Sequence, residues 1–327
     1  MNRSLFTLPA HAIILLMIPM IFGWAWPTEV TVAQTAQMSA LETNPEEDGI
    51  VPNFSHVIVI IFENKEFDQV IGNSQMPRFN GLSKQHTLLT GYYAITHPSL
   101  PNYLALVSGD TFGIETDCTD CFVNARSLPD LLEAGGRTWK TYQEGLPRAG
   151  FKGSSSGRYA IKHNPFLYFD AIRNDQTRCK RSVVPLRQLD IDLKEGHLPD
   201  FSFIVPDLCN SSHDCDLKVT DAWLGRVVDS ILNSPAFDQN SLLVITFDEG
   251  TSNEGCCGPS PLSKGGRVAT VLISPLVKKG FEDSTAYSHY SLLKTISAVW
   301  KLEELGHASD PATNLIVLPW QSRKLQN

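Results

Sequence analysis

His56-Val-Ile-Val-Ile-Ile-Phe62 is an unbroken apolar, β-branched run that stops abruptly at Glu63-Asn64-Lys65-Glu66. A strand with one wet face alternates apolar and polar residues. One without polar interruption is covered on both faces, as in parallel sheets sandwiched between helices. Two more runs behave alike: Phe201–Val205 ends at Pro206-Asp207, and Ser241–Phe247 ends at Asp248-Glu249. Three such strands commit the chain to an α/β architecture with a mostly parallel sheet.

The intervening pattern agrees. Helices are predicted over Arg78–His86, Pro101–Ser108, Ser127–Gly136, Lys218–Asn233 and His289–Leu302, and further strands over Thr87–Tyr93, Arg137–Tyr142 and Val268–Ser274. The helix at Ser127 has a Ser cap, Pro129 in its first turn and a Gly-Gly stop. Residues 145–200, rich in Gly, Ser and Arg, read as an irregular insertion. Residues 306–327 read as a tail with one short apolar run. No internal repeat interrupts a single domain from 54 to 305.

The acids at the strand ends carry chemical meaning. Sites in open α/β sheets form outside the carboxyl ends of the strands. Parallel strands here send five oxygen-bearing side chains, Glu63, Asn64, Asp207, Asp248 and Glu249, toward one edge. Carboxylates so placed repel each other unless a cation or strong donors lie between them, and a divalent metal is the simplest answer. To the same edge comes Thr96-His-Pro-Ser-Leu-Pro-Asn-Tyr103, which opens a short apolar helix closed by Gly109. Proline suits a first helical turn and glycine a last one. Ser99 at that mouth is either a helix cap or a hydroxyl nucleophile set in an anion-binding helix end.

The net charge of −8 argues against nucleic acid or an anionic membrane surface as main partner. Residues 1–36, with Arg3 and an uncharged run over Ala12–Trp26, read as a cleaved signal peptide, with an uncleaved anchor as the alternative. Residues 37–53 read as a flexible acidic leader. No later stretch reaches membrane-spanning length, so a secreted, periplasmic or extracellular protein is expected. Cys118, Cys121, Cys179, Cys209, Cys215, Cys256 and Cys257 then favour disulfides over metal ligation. Seven is odd, so at least one is unpaired or bonded to another chain.

Phe62-Glu-Asn-Lys-Glu-Phe67, the Thr96–Tyr103 segment, Lys162-His-Asn-Pro-Phe166, Thr246-Phe-Asp-Glu249 and Ile273-Ser-Pro275 resemble, in order, the phosphoesterase family of secreted acid phosphatases and non-specific phospholipases C. That family is a branch of the alkaline phosphatase superfamily, and the resemblance implies its three-layer αβα sandwich. It further implies a metal held by Glu63, Asn64, Asp248 and Glu249. Catalytic roles fall to Ser99 as nucleophile and His163 at the phosphate or leaving group; in the mechanism expected from them, Asn102 helps balance the charge on the phosphoryl oxygens. Asp207, His213 and His289 fall where two-metal relatives hold a second ion or contact phosphate, although Asp207 and His213 are more widely spaced than in those relatives. His97 reads as a positioning residue of the nucleophile turn.

The expected activity is metal-dependent hydrolysis of phosphomonoesters through phosphoserine. The alternatives are a phospholipase C acting on lipid headgroups and a non-catalytic phosphate- or glycan-binding protein. The substrate would be a phosphorylated small molecule or a phospholipid headgroup. Oxygen ligands favour Ca²⁺, Mg²⁺ or Mn²⁺, with zinc or iron if histidines join.

Overall fold

The computed structural model describes residues 51–257 and 263–321. The chain divides into Met1–Pro45 and a compact unit, Glu46–Asn327. The expected signal peptide lies outside the described residues. Among those residues no helix is long and apolar enough to cross a membrane.

Eight strands form the central sheet: β1 His56–Phe62, β2 Thr87–Leu89, β3 Trp139–Gln143, β4 Val183–Pro185, β5 Phe201–Val205, β6 Ser241–Phe247, β7 Thr270–Ile273 and β8 Phe281–Asp283. Their order is β8-β2-β7-β6-β1-β5-β3-β4. Every neighbouring pair is parallel except those made by β7, which runs against both β2 and β6. The three runs that end in acids are thus adjacent, parallel and central.

Strand parity shows how both faces are covered. Val59 pairs with Phe203, so these two side chains share a face, and Phe62, three residues along β1, points to the other. Tyr103 of helix α2 (Ser99–Ser108) packs on Phe203. Trp223 of α3 (Leu217–Leu232) packs on Phe62, and Phe79 of α1 (Pro77–Gln85) on Phe247, which pairs with Phe62. Helix α2 also packs on α4 (His289–Val299), and α1 on α3, so one helical layer lies on each side. Val57 to Phe62 are all buried, as an unbroken apolar run requires.

The predicted strand Thr87–Tyr93 is divided. After β2 the chain bends at Gly91, where a Cβ would lie 2.7 Å from the Ser284 carbonyl oxygen, and Tyr92–Tyr93 pairs instead with Tyr287–Ser288. The reading of residues 145–200 as irregular is corrected. They supply the edge strand β4, the helices Gln176–Ser182 and Arg187–Glu195, and the buried side chains of Phe166, Leu167, Tyr168 and Phe169. Their elements are short and lack a clear period, so packing and not local pattern defines them.

Cys118–Cys121, Cys209–Cys215 and Cys256–Cys257 are disulfides, and Cys179 is a buried thiol. The odd cysteine of the sequence is thus placed in the core.

Candidate active site

Glu63 and Asp248 directly follow the adjacent strands β1 and β6, so the fold sets them side by side at the sheet's carboxyl edge. Both are fully buried, and Glu249 is nearly so. Asn64, which follows Glu63, has a positive φ of 54°, a conformation that asparagine tolerates better than most residues. This bend lets the Asn64 N–H donate to Asp248 Oδ1 at 3.1 Å, and the Glu249 N–H donates to the same oxygen at 2.6 Å. Asp248 Oδ2, although buried, has no hydrogen-bond partner.

Helix α2 delivers the hydroxyl. Pro98 is its N-cap and Ser99 its first residue, so Ser99 is not the cap. Gly109 ends the helix in the left-handed conformation, where a Cβ would lie 2.1 Å from the Leu305 carbonyl oxygen. Ser99 Oγ lies 3.1 Å from Glu63 Oε2 and 3.3 Å from Glu249 Oε1, so its one O–H can go to either carboxylate. Tyr103, one turn along, donates its hydroxyl to Glu63 Oε1. Its ring stacks on His163 at 5.4 Å, and His163 Nε2 lies 3.2 Å from Glu63 Oε2 without hydrogen-bond alignment.

Electrostatics follow from crowding in a dry place. Burial, then the mutual repulsion of the acids, raises the pKa of Asp248 well above the carboxylate range. Burial raises Glu63 too, against the opposing bond from Tyr103. Glu249 is raised to about 8, by burial first and then by Asp248. Burial lowers His163 to about 3, so it stands as a neutral imidazole.

His97, read as a positioning residue of the nucleophile turn, reaches Glu249 instead. Its Nδ1 bonds Glu249 Oε2 and its Nε2 bonds the Ser252 carbonyl oxygen. Glu66 fixes Ser252 in turn, accepting from the Ser252 N–H and hydroxyl and from the Thr251 and Arg267 N–H groups.

Other candidates are placed differently. The Asn102 carboxamide accepts from the Ile95 and Thr96 N–H groups and donates to the Thr96 and Pro98 carbonyls. With all these positions used, it clamps the nucleophile turn, and the expected phosphate contact gives way to a positioning role. Asp207 Oδ1 accepts from the Cys209 and Asn210 N–H groups, closing its own loop. His289 is buried with Nε2 on the Asp248 carbonyl oxygen and Nδ1 on the Tyr92 hydroxyl. Both its nitrogens therefore hold protein partners. His213 reaches the rim, with its ring 5.8 Å from that of His163.

The resemblance implies a metal. Among the described residues, no group of three or more His, Cys, Asp or Glu side chains is gathered as a ready cation cage. Yet three buried acids with one orphaned carboxylate oxygen form a donor set suited to a hard divalent cation.

Tyr103 was missed in the sequence because it sits inside an apolar helical run. A buried tyrosine needs a partner for its hydroxyl, and that was the available signal. Tyr103→Phe is expected to lower stability by about 1–3 kcal/mol, by leaving Glu63 Oε1 without its donor. Urea denaturation of wild type and variant measures this; equal midpoints would contradict the assigned contact.

A family model, the Phosphoesterase family, matches residues 73–303. A phosphate-repressible acid phosphatase of Penicillium chrysogenum is 32% identical over 289 residues, covering 86% of this chain and 67% of that protein. A phosphatidylinositol-3-phosphatase of Mycobacterium tuberculosis is 33% identical over 270 residues, covering 81% and 84%. The chain spans between 56% and 67% of the length of the fungal acid phosphatases it matches. A solved structure of a protein in the alkaline phosphatase superfamily, from Vibrio parahaemolyticus, aligns with a TM-score of 0.54 at 12% identity, over 80% of this chain and 71% of its own. At that identity the likeness speaks for the fold alone, a three-layer α/β sandwich of the alkaline phosphatase type.

Proposed function

The chain belongs to the phosphoesterase family of phosphoric-ester hydrolases, and we propose that it is an exported, metal-dependent phosphatase that cleaves phosphomonoesters through a phosphoserine on Ser99. One observation carries this reading: a serine hydroxyl at the first residue of a helix lies 3.1 and 3.3 Å from two buried carboxylates at the sheet's carboxyl edge. Three disulfides suit export to an oxidising compartment.

Glu63, Asn64, Asp248 and Glu249 would hold the cation. Bound there, a divalent ion would supply Lewis acidity, easing ionisation of the serine and balancing phosphoryl charge. Ser99 Oγ forms its bond to phosphorus as the phosphorus–ester oxygen bond breaks, and the electron pair leaves on the ester oxygen. The hydroxyl proton passes to Glu63 Oε2 or Glu249 Oε1, the two acceptors in reach. The Ser99 N–H, at the positive end of α2, faces the developing charge. His163, neutral and stacked on Tyr103, offers a ring N–H to a phosphoryl oxygen and is not the acid that protonates the leaving group. Water then displaces serine from phosphorus and inorganic phosphate departs.

Hydrolysis of p-nitrophenyl phosphate and of bis(p-nitrophenyl) phosphate, each with and without EDTA, tests this. Faster, chelator-sensitive release from the monoester is expected. Faster cleavage of the diester would move the protein to the phospholipase C type. Phosphate binding without turnover of either ester would make it a binding protein.

A further inference from the structure

Two buried carboxylates lie within bonding reach of the Ser99 hydroxyl and a third, Asp248, stands next to them in the chain and sheet, and a phosphomonoester brings further negative charge to the same place. The groups expected to hold a second cation are engaged elsewhere: Asp207 in its own loop, His289 on Tyr92 and the Asp248 carbonyl, His213 Nδ1 on Asp214 at 2.6 Å. The chain places an ammonium there. Lys162, next to His163, has Nζ 2.8 Å from Asp117 Oδ2 and 3.4 Å from His213 Nε2, and its side chain is 20% exposed. Its charge acts on Glu63, and Glu63 and Asp248 add to Asp117 in keeping it an ammonium.

We propose that the Lys162 ammonium binds the phosphoryl oxygens of the substrate, as a second fixed cation supplied by the chain, and that Asp117 is the positioning residue that aims it. The proposal rests on the phosphoesterase reading above. Asp117 joins two parts of the site with one side chain: its Oδ1 accepts the Leu100 N–H at 3.0 Å, one residue after Ser99, while its Oδ2 holds Lys162. Asp117 thus ties the mouth of the nucleophile helix to the Lys162-His163 turn. Its own loop is held by the neighbouring Cys118–Cys121 disulfide and by the Tyr168 hydroxyl, which donates to the Cys118 carbonyl oxygen at 2.8 Å.

An ammonium has three donors. Among the described residues Asp117 and His213 account for two, which leaves the third for a phosphoryl oxygen. Lys65, another lysine near the acids, is tied to backbone carbonyl oxygens of Asn64 and Ser212 and so braces the β1 turn, whereas Lys162 is tied through Asp117 to the nucleophile helix.

The test compares wild type, Lys162→Met, Lys162→Arg and Asp117→Asn. It reads kcat and KM for p-nitrophenyl phosphate, the affinity for inorganic phosphate by calorimetry, and the melting temperature. Removing a charge that stabilises a phosphoryl group costs about 10²–10³-fold in turnover. Lys162→Met is expected to lose that much in kcat/KM and to weaken phosphate binding, at an unchanged melting temperature, with Lys162→Arg recovering part of both. Asp117→Asn keeps an acceptor for Leu100 but loses the ion pair, so it should give a smaller loss that nearly vanishes in the Lys162→Met background. If Lys162→Met unfolds, the wild-type-like fold of Lys162→Arg, with its reduced kcat/KM, carries the comparison. Phosphate affinity and kcat/KM within about threefold of wild type in both lysine variants would overturn the assignment. A wild-type protein that neither turns over the monoester nor binds phosphate would overturn the phosphoesterase reading first, and this assignment with it.

Discussion

Ser99→Ala is expected to lower phosphate release by more than about 10³-fold, because the covalent route needs an oxygen at this position. The fold should survive. Ser99 is buried at the start of α2, its hydroxyl is the donor toward either carboxylate, and alanine fits a first helical turn. Glu63 Oε2 and Glu249 Oε1 lose this donor, but each carboxyl stays held at its other oxygen, by Tyr103 and His97, so only a modest loss of stability is expected. Steady-state kinetics beside a thermal melt separates the two effects. Full activity in a folded variant would exclude the covalent scheme.

Removing the cation is expected to have the second large effect, on activity and on stability together. A chelator should abolish turnover, and excess Mg²⁺, Mn²⁺ or Ca²⁺ should restore it. The stability effect should depend on pH. Glu249 has its pKa raised from 4.5 to about 8 by burial and then by Asp248, and Glu63 and Asp248 shift the same way. A carboxyl whose folded pKa lies above its unfolded value contributes stability that is complete below the unfolded value. That contribution is lost as pH rises through the folded value. The cation-free protein should therefore lose stability between about pH 4.5 and about pH 8, as these acids ionise against one another. A bound cation takes the place of their protons, so its stabilisation should grow over the same range. At a hundredfold excess over its dissociation constant, the cation should raise Tm by roughly 5–10 °C near pH 8 and by much less near pH 5. Melting curves with and without chelator at both pH values measure this. Equal shifts at the two would show that the acids do not hold the ion.

Much of this frame is legible in the chain because burial leaves a coarse mark. The runs His56–Phe62, Phe201–Val205 and Ser241–Phe247 have no polar interruption, and the acids after them fall where the chain leaves the sheet. Glu63, Asp248 and Glu249 converge as that argument expects, and Ser99 meets them at the start of its helix. Asp207 also ends a strand, yet two N–H groups of its own loop capture its carboxylate. A strand-end acid faces either choice, and strand position alone does not decide between them. Asn102 is expected to help balance phosphoryl charge, whereas its carboxamide matches four backbone groups of the nucleophile turn. The Asp117–Lys162 pair joins residues 45 apart, a contact that no local pattern encodes. His97 and Glu249, 152 residues apart, are equally silent in sequence.

Ser99 as the site of phosphoryl transfer is the centre of this account. The most direct test quenches the protein in acid during turnover of p-nitrophenyl phosphate and weighs the peptide that spans Thr96–Gly109. A phosphoryl group on Ser99 in wild type, absent from Ser99→Ala, is the predicted result. Turnover with Ser99 unmodified and the phosphoryl group on another residue would contradict it.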